Sequence, residues 1–158
     1  MHVVFMNPQG NFDPQDSYLT EHPDFGGQLV YVKELAQAMS KRGHKIDIVT
    51  RKIQDNSWPE FSSDQDSYPG FEENLRILRF SFGGKKFLKK EFSWFTENIK
   101  FINNCDFIIS DFVPSAFKLA HIKKIPAYGV CHFTWDWFYK KIFGIKDKIY
   151  FELKNNVH

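Results

Sequence analysis

Apolar residues first gather at Val3–Met6, a run bounded by Asn7-Pro8 that predicts a short buried strand. A long polar stretch follows, punctuated by Pro8, Gly10, Pro14, Pro23, Gly26 and Gly27. Val32, Leu35, Ala36 and Met39 then recur at helical spacing, predicting a helix over 26–41 that Gly43 stops. "HKIDIVT" (44–50) predicts a second strand and "LRILRF" (75–80) a third, with a polar loop over 56–74 between them. Phe92, Phe95, Ile99 and Ile102 share one stripe and predict a helix over 91–103. "CDFIIS" (105–110) is a fourth strand, 114–123 a short helix and "PAYGVC" (126–131) a fifth strand. Ile142, Ile145, Ile149 and Leu153 recur beyond it without the pattern of a sixth strand.

Strands alternating with helices predict an α/β fold, a Rossmann-like parallel sheet with flanking helices. Such sheets hold ligands outside the carboxyl ends of their strands, near the topological switch point. That rule puts the loops after Met6, Thr50, Phe80, Ser110 and Cys131 on one functional edge. Polar loops as long as 7–25 are uncommon in compact domains and usually serve a function when ordered.

Composition bounds the partners. A chain of 158 residues fits one domain, 1–158. Its 18 phenylalanines leave aromatic surface for something to cover. Net charge is only +2, and the lysine pairs at 85–86, 89–90, 123–124 and 140–141 are scattered, which argues against nucleic acid. No apolar run approaches the roughly 20 residues that span a bilayer, and "HVVFM" opens the chain without a signal-peptide pattern. Cys105 and Cys131 each flank an apolar run and read as small core residues rather than a disulfide scaffold. The expected setting is reducing and cytoplasmic.

Gly26-Gly27 at a helix start leaves backbone N–H groups open to an anion, at the positive end of the helix dipole. Gln28 adds an amide for a hydroxyl. The competing reading is a glycine pair that lets strand and helix pack closely. Neither the G-x-G-x-x-G dinucleotide fingerprint nor a P-loop G-K-[ST] is present, which disfavours an NAD-dependent oxidoreductase on the same fold.

The whole stretch "NPQGNFDPQDSYLTEHPDFGGQLVYVKELA", with "IDIVTR", "WPEF" and "RFSFGGKKFLKKE", resembles the opening of sucrose-phosphate synthases and related retaining GT-B glycosyltransferases. The close likeness covers residues 2–95, and a looser one covers 105–140. The resemblance implies a two-domain enzyme that moves glucose from a nucleotide sugar of the UDP-glucose type to a sugar phosphate such as fructose 6-phosphate. Gly26 and Gly27 would then approach the phosphate, Gln28 the acceptor sugar, and Lys90 the acceptor phosphate. It implies no metal and no cofactor beyond the nucleotide-sugar co-substrate.

Departures begin after residue 104. The family's His-Tyr-Gly-Asp-Gly-Gly-type turn is replaced by "SDFVPSAF", and the lysine downstream of its catalytic-site His falls on Phe138. His132 keeps the strand-end position of that His. It either contacts the transferred sugar or packs among Phe133, Trp135 and Trp137. Asp111 either bonds an acceptor hydroxyl, caps the following helix or stays solvated. "FTWDWFY" (133–139) stacks on a sugar, docks another domain or packs internally. A His132/Asp136 metal pair lacks further ligands.

The resemblance also implies a donor-binding domain that the 158 residues do not contain. The expectation is therefore an acceptor-binding half, inactive alone, whose nucleotide-sugar donor comes through a C-terminal domain that is missing or supplied by a separate chain. The alternatives are a stand-alone sugar-phosphate-binding module or a subunit that pairs with a donor-binding chain.

Overall fold

The computed structural model describes residues 1–8, 10–17, 28–81, 104–111 and 113–130. The predicted helix over 91–103 and the segment 131–158 lie outside them. Strands β1 (His2–Met6), β2 (Lys45–Arg51), β3 (Gln65–Asp66), β4 (Leu75–Phe80), β5 (Phe107–Ser110) and β6 (Ala127–Gly129) form one sheet in the order β3-β4-β2-β1-β5-β6. All neighbours run parallel except the edge pair β3–β4. The sheet is thus parallel as expected, with an antiparallel edge strand that the polar loop 56–74 concealed. That loop also holds a short 3-10 turn, Pro59–Phe61, which buries Phe61.

The period-two pattern of the strands partitions the core. Val3 and Phe5 of β1, Ile46 and Ile48 of β2, and Leu75 and Ile77 of β4 face one way and pack with Leu29, Val32 and Ala36 of helix α1 (Gln28–Lys41). Val4, Met6, Val49 and Ile108 face the other way, against Val113, Ala116, Leu119 and Ala120 in and beside helix α2 (Pro114–Lys123). Each sheet face therefore has its own helix, the layering expected of buried parallel strands. The apolar stripe of α1 is rotated from the one the sequence suggested: Leu29 is in the core, whereas Leu35 is exposed. Leu35 fits the helical period yet stands on its solvent side.

Asp47 interrupts the apolar β2 run and is buried. Its carboxylate accepts from Arg76 Nε and Nη2, both at 2.8 Å, and hydrogen-bonds His2 Nε2 at 2.7 Å. The amino end of β1 is further fixed by the His2 backbone N–H, which donates to Asp106 Oδ2 at 2.6 Å. Among the described residues, no helix is long and apolar enough to cross a membrane.

Candidate functional site

The chain runs outward from β1 through β2 to β4, then crosses back to pair β5 on the other side of β1. The switch point therefore lies between β1 and β5, and the crevice outside their carboxyl ends is where α/β sheets bind ligands. Met6 and Ser110 are register partners at that point. Asn7 and Asp111 come next in the chain.

Immediately after β1 the backbone makes a tight turn. The Asn7 N–H donates to the Val49 carbonyl at 2.9 Å, and the Gly10 N–H donates to Asn7 Oδ1, also at 2.9 Å. Thr50 Oγ1 donates to the Gly10 carbonyl. A Cβ on Gly10 would lie 3.0 Å from Leu29 Cδ2 and closer still to the Phe12 ring, so the turn is pressed against the first turn of α1. Asn7 and Asn11 are buried here, 2% and 1% exposed.

The next residues are held by a buried cation. Arg79 of β4 is 1% exposed and donates to the Phe12 carbonyl from Nη2 at 2.6 Å and Nε at 3.2 Å. Its Nη1 donates to Ser63 Oγ at 2.5 Å and pairs with Asp66 of β3. A guanidinium thus ties the loop after β1 to the far edge of the sheet. Asp13 closes the following turn, accepting from the Ser17 N–H and hydroxyl at 3.0 Å each and from the Gln15 N–H at 3.1 Å. Burial pushes the Asp13 carboxyl up, and these hydrogen bonds only partly counter it. Lys33 of α1 pairs with Asp16 and lies 5.5 Å from the centre of the Tyr68 ring, joining the loop to the helix. Further along the same edge, a cavity of about 340 Å³ is lined by Arg51–Asp55 and Trp58.

Helix α2 starts beside the switch point. Its N-cap is Val113 and has no side-chain cap, while the Val113 N–H donates to Ser110 Oγ at 3.0 Å. The Ser110 hydroxyl thus serves the helix entry. The Ser110 hydroxyl also bonds the Met6 carbonyl at 3.4 Å, coupling both walls of the crevice.

A family model described as Glycosyltransferase Family 4 matches residues 25–158. The chain belongs to that family. It is similar to a probable sucrose-phosphate synthase of Thermosipho melanesiensis, 67% identical over 94 residues that cover 60% of this chain and 22% of that protein. It is also similar to the mannosylfructose-phosphate synthase of Agrobacterium fabrum, 30% identical over 138 residues covering 76% of this chain and 28% of that protein. A probable sucrose-phosphate synthase 2 of Arabidopsis thaliana is 29% identical over 108 residues, 60% of this chain and 10% of that protein. The chain thus spans under a third of these relatives.

Of the residues singled out in the sequence, Gln28 is the first residue of α1 and is partly exposed. Asp111 follows β5 at the switch point, also partly exposed. Gly26, Gly27, Lys90 and His132 lie outside the described residues. Sequence reasoning missed Asn7, Asn11 and Arg79. Arg79 was legible: in "LRILRF" it shares the period-two face of Leu75 and Ile77, so its charge had to find a buried partner. The two asparagines gave no comparable sign, because Asn is at home in any turn.

Proposed function

We propose that this chain is the acceptor-binding half of a sucrose-phosphate synthase-like glycosyltransferase, holding a sugar phosphate at the carboxyl edge of β1 and β5. The observation that carries the reading is the stapled loop after the central strand, which leads into α1 at the switch point of a family 4 fold. Backbone amides of Gly26 and Gly27 at that helix start meet the phosphate, Lys90 adds a positive charge, and Gln28 and Asp111 bond sugar hydroxyls. His132 faces the transferred sugar.

The relatives' names favour the acceptor. Sucrose and mannosylfructose, the sugars in the two names, each contain a fructose unit and differ in the hexose joined to it. A region similar to both is expected to recognise the shared half, so fructose 6-phosphate is the acceptor of choice. The nucleotide-sugar donor, UDP-glucose or a related compound, belongs to a second domain. In this reading donor and acceptor share one geometry only when both domains are present, the positioning that supplies much of a transferase's rate.

Calorimetric titration with a panel of hexose phosphates tests this, repeated on Gly27→Val. Fructose 6-phosphate binds the unaltered chain and not the variant, because a β-branched side chain blocks approach to the amides. Equal binding by both would refute the glycine site. Glucosyl transfer from UDP-glucose by the chain alone would refute its role as half an enzyme.

A further inference from the structure

We propose that Asn7 and Asn11 form a neutral subsite that reads hydroxyl groups of the acceptor's sugar ring. This rests on the acceptor-binding reading above and goes beyond it by naming the atoms that recognise the uncharged part of the ligand.

Asn7 Nδ2, Asn11 Nδ2 and Asn11 Oδ1 are buried and have no hydrogen-bond partner among the described residues. Buried polar atoms almost always have partners, and each one left without costs about 1–3 kcal/mol. Here three such atoms belong to one turn, at the carboxyl end of the central strand and against the first turn of α1 through Gly10 and Leu29. The turn cannot readily relax to relieve them. Asn7 Oδ1 is committed to the Gly10 N–H at 2.9 Å, the Asn7 N–H to Val49, and the Gly10 carbonyl to Thr50.

The chemistry of the partner follows from the chemistry of the amides. Two NH₂ groups and one carbonyl within one five-residue turn offer both donors and an acceptor, the complement of hydroxyls that both give and accept a proton. An anion fits poorly, because the cations that hold this loop are already engaged: Arg79 with Phe12, Ser63 and Asp66, and Lys33 with Asp16. Nor is there a cluster of three His, Cys, Asp or Glu side chains suited to a metal among the described residues. A polyol, whose hydroxyls carry no charge to desolvate, suits a dry pair of amides. The division of labour is then plain: the helix start takes the phosphate, and the turn after β1 takes the ring.

The test compares the unaltered chain with Asn11→Ala and Asn11→Ser, using fructose 6-phosphate and inorganic phosphate as separate titrants. Asn11→Ala weakens fructose 6-phosphate by at least about tenfold and leaves inorganic phosphate unchanged, and Asn11→Ser recovers part of the loss. Unchanged fructose 6-phosphate affinity means that only water serves the amides, and it overturns the proposal. So does an equal loss for both titrants, which marks general damage to the loop. If the variants do not fold, side-chain amide resonances of Asn7 and Asn11 in the ¹⁵N-labelled unaltered chain decide: they move with fructose 6-phosphate and stay with phosphate, and any other pattern refutes the subsite. Should the unaltered chain bind no hexose phosphate, the parent reading fails on its own. The subsite is then judged by the same resonances under neutral fructose, where movement sustains it and stillness ends it.

Discussion

Arg79 and the Phe12 carbonyl, 67 residues apart in sequence, are joined by two N–H donors of one guanidinium, at 2.6 and 3.2 Å. Removing the guanidinium strands the carbonyl and leaves the Asp66 carboxylate without its cation. Arg79→Ala is expected to lose about 3 kcal/mol in urea unfolding, and Arg79→Lys about half of that, because an ammonium keeps the charge but not the planar fork. A loss under about 0.5 kcal/mol for Arg79→Ala, the range of ordinary surface changes, would show that the contact carries little.

Asp47 governs the acid limb of stability. Burial pushes its carboxyl up, but the hydrogen bonds and charges of His2 and Arg76 together outweigh that and hold it below the usual range. A carboxyl with a lowered folded pKa contributes stability that is fully present above its unfolded value and lost as pH falls through the folded one. Asp47→Asn is therefore expected to cost about 2 kcal/mol at neutral pH. The gap to the unaltered chain should close below about pH 4. Melting temperatures across a pH series give the comparison; a gap that stays constant into acid would contradict it.

Gly10 tests the seating of the loop on α1. A Cβ there would lie 3.0 Å from Leu29 Cδ2 and nearer to Phe12, a ring with no exposed surface into which to swing. Gly10→Ala should destabilise the fold by about 1–3 kcal/mol through overpacking. It should also weaken fructose 6-phosphate binding, since the turn that moves is the one at the switch point. Calorimetry and thermal melting on one preparation check both halves.

Cys105 is a free, buried thiol whose pKa is pushed up by burial. The thiolate is the reactive form, so alkylation by iodoacetamide should be slow in the native state and fast in urea. Measured in a Cys131→Ser background, the two rates should differ by at least about tenfold at pH 8. Equal rates would mean the end of β5 opens freely.

The layered sheet was legible because buried strands announce themselves. Val3–Met6, the stretch 44–50 and Leu75–Phe80 carry their apolar residues between turn residues, and the structure departs from them only at their ends. β3 was not legible, since Gln65-Asp66 are two polar residues made strand by pairing with Leu78 and Ile77. Tertiary context outweighed local propensity there. Of the candidate site, the edge and the loop could be read, because both follow from strand order. The cross-links could not: Thr50 to Gly10 and Arg79 to Phe12 join segments whose adjacency exists only in the folded sheet.

The central place of β1 sets an order of assembly. One flank of the crevice begins at Asn7, and the other arrives with Ser110, register partner of Met6. During synthesis, the strands through Phe80 can pair as soon as they emerge, but β1 must keep one side unpaired until residues 107–110 leave the ribosome. The crevice at the switch point therefore forms only after a whole half-sheet exists, and a nascent polypeptide ending before Phe107 would carry that half with one wall of the crevice unbuilt.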